Sequence, residues 1–339
     1  SLLLVGTPLW AYAWRVIQNS LVDTAEMNSN LRLGILYLLA LGGVITVITT
    51  AIMVVSAIMM WLLGIGWTLQ RFVQQIGGPI SIGVPLGLVW AYYGYWLNRH
   101  IEAIGDKVRQ AGMKRLYNYI LAFIGLVVSF IGVTSLFRFI IDMLTGSNIL
   151  LNVSMRGTFA NSIASLIVGL PLWLVTWRPM QGEALVQGEM GDHARRSVIR
   201  KVYLYLALFA SVIGGMAAAV GLVYQMIRVV LMGDWGSSAG LNFLENVLNL
   251  TQLLFLFGVV LVYHLSVLRR DGTSTADSLA EKQSGYSVLV VDSGDGFVES
   301  VKAALAKLGS KVQVMVTSPD ARPEGNFNAL LLNGSLAVN

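Results

Sequence analysis

Residues 33–62 read LGILYLLALGGVITVITTAIMVVSAIMMWL, and no charged side chain interrupts them. A helix rises about 1.5 Å per residue, so roughly 20 apolar residues cross a hydrocarbon layer of about 30 Å. Comparable runs recur along the chain, longer and barer of charge than a buried helix of a water-soluble domain requires. Only 12% of the residues are charged and 55% are hydrophobic, with a mean hydropathy of +0.68. Water-soluble chains carry about 25% charged residues. The pattern predicts a mainly α fold, a polytopic bundle of transmembrane helices.

The chain has no cysteine, which excludes disulfides, thiolate metal sites and cysteine nucleophiles. Its formal net charge of +5 is modest for 339 residues and is read through its distribution along the loops, not as a nucleic-acid signal. The apolar start at Ser1 lacks the basic region that opens a signal peptide, so the chain is expected to begin inside a larger protein.

The same proline-bearing phrase is written three times. Gly6-x-Pro8-Leu9, Gly83-x-Pro85-Leu86 and Gly169-x-Pro171-Leu172 are followed each time by a polar loop, a basic-aromatic start and a second apolar run. Gly258-Val259-Val260-Leu261 is a fourth copy without the proline. This internal period predicts a two-helix hairpin used three times plus one extra first helix. Helices are expected at about 1–18, 31–62, 77–98, 114–144, 158–178, 199–232 and 242–268, seven spans in all. The corresponding division is hairpin repeats over 1–76, 77–157 and 158–240, with the first helix shortened, and a final transmembrane helix over 241–268. A linker over 269–285 and an α/β module over 286–339, minimal or incomplete, complete it.

Pro8, Pro85 and Pro171 each remove an amide donor inside a first helix and displace the carbonyl four residues earlier, so they are expected to bend it. The second helices carry small residues at four-residue spacing: Gly42 and Thr46, then Gly125 and Ser129, then Ser211, Gly215 and Ala219. Small residues let helices approach closely in lipid, so these predict packing faces.

Orientation follows from the loops. Lysine and arginine in 15–32, 98–115 and 178–201 number two, five and five, against one, one and none in 62–79, 144–160 and 233–241. Basic loops stay on the cytoplasmic side, so the carboxyl-terminal module is expected on that side of a cytoplasmic (inner) membrane. Trp10, Trp14, Trp90, Trp96, Trp173 and Trp177 fall near the cytoplasmic ends of first helices, as anchors at the membrane–water interface.

Little chemistry is legible. His100, His193 and His264 do not occupy matching positions in the repeats, so no metal or haem pair is expected. Arg138 and Asp142 lie four apart and are expected to pair on one helix face near an interface. Gln225 and Asn161 have no evident partner, and Glu183, Glu189, Asp192, Arg195 and Arg196 are expected to form a solvated, mixed-charge loop. No catalytic set and no cofactor is expected.

After Arg270 the text turns polar, and DGTSTADSLAEKQSG reads as a flexible linker. A buried strand over 287–292, an amphipathic helix over 297–309 and strands over 311–316 and 327–334 then open a small Rossmann-like module. Asp292, Gly294 and Gly296 sit in the turn after the first strand, where phosphates bind in this class. The turn lacks a third glycine and carries two aspartates, so a plain tight turn is favoured over nucleotide binding.

The hairpin unit resembles a bacterial membrane repeat family, the domain of unknown function 5671, whose pattern pairs a G-x-P-L-W-x-x-x-W helix with an R-x-x-Y-x-Y helix. Gly169, Pro171, Leu172, Trp173, Trp177, Arg200, Tyr203 and Tyr205 match that pattern, while copy two has Gly87 in place of the first tryptophan. The resemblance covers roughly 1–265 and implies no activity. The tail lies outside it.

Three functions are compatible with these features. The favoured one is a non-enzymatic membrane scaffold or accessory subunit that presents the α/β module, with the bilayer and other membrane subunits or copies of itself as partners and no nucleic acid. The others are a transporter or channel built from repeats, and a membrane-anchored sensor whose tail binds a nucleotide or signal.

Overall fold

A computed structural model describes residues 8, 12, 15, 16, 30–65, 68–103, 107–145, 153–232, 237–292, 294–319 and 326–334. The chain order is α1 (Asn30–Leu62), α2 (Leu69–Ala103), α3 (Lys107–Thr145), α4 (Val153–Leu185), α5 (Glu189–Arg196), α6 (Val198–Met232) and α7 (Ser237–Ser284). Then follow β1 (Ser287–Val291), α8 (Phe297–Lys307), β2 (Gln313–Thr317) and β3 (Ala329–Leu331). Among the described residues, six helices (α1 to α4, α6 and α7) are long and apolar enough to cross a membrane. The expected first span lies outside the described residues, except that Pro8, Tyr12, Arg15 and Val16 are helical. Helices α2 and α4 run on through Pro79 and Pro85 and through Pro171 and Pro179.

The fold divides into two compact units, residues 1–180 with 205–261 and residues 181–204 with 262–339. In the first, close approach falls between the second helix of one sequence copy and the first helix of the next. A Cβ added at Gly125 on α3 would stand 2.6 Å from the backbone nitrogen of Trp173 on α4. One added at Gly169 would stand 2.8 Å from the backbone nitrogen of Ser129. Gly83 on α2 meets Thr50 on α1, and Gly214 on α6 meets the ring of Phe257 on α7. Hydroxyls in these helices bond back to the preceding turn, as Ser129 does to the carbonyl of Gly125 and Ser211 to that of Ala207, both at 2.7 Å. Side-chain bonds also tie neighbours: Tyr37 donates to the carbonyl of Met113 at 2.5 Å, and Gln252 to that of Thr134 at 3.0 Å.

The second unit contains a three-stranded parallel sheet in the order β2-β1-β3. Val288 of β1 aligns with Val314 on one side and Ala329 on the other. Every residue of β1 is buried, as expected of the middle strand of a parallel sheet, and Val288 and Val290 pack on Val298 of α8.

The structure corrects two expectations in this unit. The linker over 269–285 is no flexible connector: α7 is unbroken to Ser284. Gly272 costs a helix roughly 1 kcal/mol relative to alanine, and the threonines, serines and aspartates around it cost up to about 0.7 each. Tertiary side-chain bonds override those preferences. The mixed-charge loop is likewise no solvated loop, because 189–196 is helix α5 with Asp192 and Arg195 buried.

Candidate functional site

Helix α5 forms because its charges suit a helix: Glu189 and Asp192 stand in the first turn, His193, Arg195 and Arg196 in the last. It follows α4 through a sharp turn at Gly188, whose φ of 86° with ψ near −167° is a region essentially confined to glycine. Gly191 allows the turn to close, since a Cβ there would lie 1.8 Å from the carbonyl oxygen of Val186. Arg195 then caps the end of α4, its Nη1 donating to the carbonyls of Ala184 at 2.6 Å and Val186 at 3.2 Å. Its Nη2 donates to Asp192 Oδ1 at 2.6 Å.

Asp192 reaches across to α7. Its Oδ2 accepts from the Ser278 hydroxyl and lies 3.4 Å from Lys282 Nζ. The Ser278 hydroxyl, with Arg195 behind it, holds the Asp192 carboxyl down to about 2. A second grip lies at the start of α6. Arg200 is 0% exposed, donating from Nε to Asp271 Oδ2 at 2.6 Å, and from Nη2 to Asp271 Oδ1 at 3.1 Å and Gln181 Oε1 at 2.7 Å. A bidentate arginine–carboxylate pair with a further acceptor fixes both partners in distance and orientation. Nearby, the ring of His264, 1% exposed, lies 3.3 Å from the Tyr203 hydroxyl. A groove of about 610 Å³ runs beside the grips, lined by Glu189, Arg270, Ser274, Asp277 and Glu281 among others.

These residues form a polar clamp that holds the end of α7 to α4, α5 and α6. Sequence reasoning missed it. Arg200 stood in the repeat motif and Asp192 and Arg195 in the charged loop, but nothing in the spacing tied them to Asp271 or Ser278.

The other expected positions fall as follows. Gly125, Ser129 and Ser211 are buried at helix contacts. Gly42 is exposed with nothing near it, and Gly43 is the residue that meets Trp90. Gly215 makes only ordinary contact while Gly214 is the tight position, so at these two places the closest approach falls one residue from the expected glycine. Thr46 bonds to the Gly42 carbonyl and Ala219 is half-buried. Trp10 and Trp14 lie outside the described residues. Trp90 donates to the Tyr117 hydroxyl at 3.2 Å, Trp96 lies under Arg99, and Trp173 packs on Gly125. Trp177, expected as an anchor, is 2% exposed and edge-on to Tyr119 inside the bundle.

Among the described residues Arg138 and Asp142 form no ion pair; Asp142 Oδ1 is buried without a hydrogen bond. Asn161, expected without a partner, accepts from Ser56. In the tail, Asp292 accepts from the Gly294 amide at 2.9 Å and Asp295 from the Phe297 amide at 3.1 Å. The turn's own carboxylates occupy donors a phosphate would use. Among the described residues no cluster of histidine, aspartate and glutamate could hold a metal ion.

A comparison with protein families matches residues 1–88 and 115–262 to the family described as Domain of unknown function (DUF5671). No curated protein and no solved structure matches the chain.

Proposed function

The chain belongs to the DUF5671 family, and from that premise and the clamp we propose that it is a membrane scaffold or accessory subunit. It carries the α/β module at the end of a clamped helix and presents it to partners in a larger membrane complex. The observation that carries this reading is the buried Arg200–Asp271 pair, which makes the expected linker a clamped helix. A flexible tether would need no such pair.

The basic loops over 15–32, 98–115 and 178–201 support a cytoplasmic position for the module and a bacterial inner membrane as the location. The parallel order β2-β1-β3 supports a doubly wound, Rossmann-like class for the tail. Glycines filled by neighbouring backbone and side chains, at Gly125, Gly169 and Gly214, favour a packed scaffold over a repeat-built pore. The self-satisfied turn at Asp292 to Gly296 weighs against a nucleotide-binding sensor.

Purification in mild detergent tests the subunit role. A stoichiometric partner or a defined oligomer at gel filtration is expected. A monomer with nothing bound would overturn it.

A further inference from the structure

We propose that residues 271–284 are a latch: they are helical only while Asp192 and Arg200 hold them, and they open as one unit when a grip is lost. Three observations carry this. The segment is composed against helix formation, with Gly272, Thr273, Ser274 and Thr275 in succession. Its one large apolar side chain, Leu279, is exposed, so no hydrophobic face docks it. The side-chain contacts that reach it from α5 and α6 among the described residues are polar: Arg200 to Asp271, Asp192 to Ser278 and Lys282, and the exposed Glu189 to Lys282.

A segment without buried apolar contacts belongs to the low-stability end of a structure and opens without global unfolding. The groove beside it gives solvent and solutes access to the polar contacts. Its two grips differ. The Arg200–Asp271 pair is bidentate, with Arg200 fully buried, and sets the hinge, whereas Asp192 and Ser278 share a single hydrogen bond, which is the one released first. The latch deepens the scaffold reading, on which its regulatory meaning rests, because release would turn a fixed presentation of the α/β module into a loose one.

Hydrogen exchange by mass spectrometry on the full chain in nanodiscs tests it. In the native chain the amides of 275–284 are protected. Ser278→Ala removes the hydrogen bond to Asp192, and Asp192→Asn removes the charge that Ser278, Lys282 and Arg195 face; each should speed exchange of those amides about tenfold, together, with α1 to α4, α6 and the part of α7 before Asp271 unchanged. Ser278→Thr keeps the hydroxyl and should restore native protection. Unchanged exchange in both variants, a native segment that is already unprotected, or acceleration that spreads into the long helices outside this segment would each overturn the latch. Gel filtration of the same sample as a bare monomer would overturn the subunit role and leave this outcome standing.

Discussion

Arg200 is sealed from solvent, and the carboxylate of Asp271, 71 residues away, pairs with its charge. A buried pair of this kind is costly to break because the survivor keeps its charge in a poor solvent. Arg200→Gln should therefore destabilise the second unit by about 3–5 kcal/mol, read from detergent-solubilised thermal or denaturant melts. Arg200→Lys loses the bidentate geometry and should recover only part of that loss. Asp192 adds a pH dependence with a definite sign. Its folded pKa is depressed to about 2 from an ordinary value of about 3.9. Its contribution is thus complete above about pH 4 and is lost as pH falls toward 2. A spin label at Leu279 should sharpen over that window and stay constant from pH 5 to 8. The residue scale is where the sequence was least legible. Arg200, Asp192 and Ser278 were visible as residue types, but contacts from α6 and α5 to a helix end 71 and 86 residues on leave no periodic trace.

The long helices were the readable elements, because an apolar run has the same signature whatever packs on it. All six spans expected from residue 31 onward are found, most of them extended by several residues at one or both ends. The extension at the end of α7 is the informative miss, since local propensity argued for a coil and the clamp overrode it. Replacing exposed Gly272 by alanine should stabilise that segment by about 1 kcal/mol, measured as slower hydrogen exchange. Faces within helices were legible only approximately. A four-residue stripe leaves the neighbouring register open, as Gly42 beside Gly43 and Gly215 beside Gly214 illustrate. Gly125→Val should therefore cost about 1–3 kcal/mol, through its collision with the Trp173 backbone, while Gly42→Val should stay within about 0.5. Thermal melts of the two variants in the same detergent distinguish them.

At the scale of the whole molecule, composition alone pointed to membrane helices, and the tail's pattern of strand, helix and strands gave its parallel sheet. The clamp lies where these two parts of the reading meet: α7, long and apolar enough to cross a membrane, runs on through the segment whose sequence reads as a loose tether. All of it depends on the basic loops and the module sharing one face of a bilayer, opposite the loops poor in charge. The absence of native cysteine makes this directly measurable. Single cysteines at Gln187, Lys311 and Ser147 can be challenged with an impermeant maleimide in sealed vesicles of both orientations. Gln187→Cys and Lys311→Cys should label only from the cytoplasmic face, and Ser147→Cys only from the other. Labelling of Gln187→Cys and Ser147→Cys from the same face would contradict the topology, and with it the scaffold.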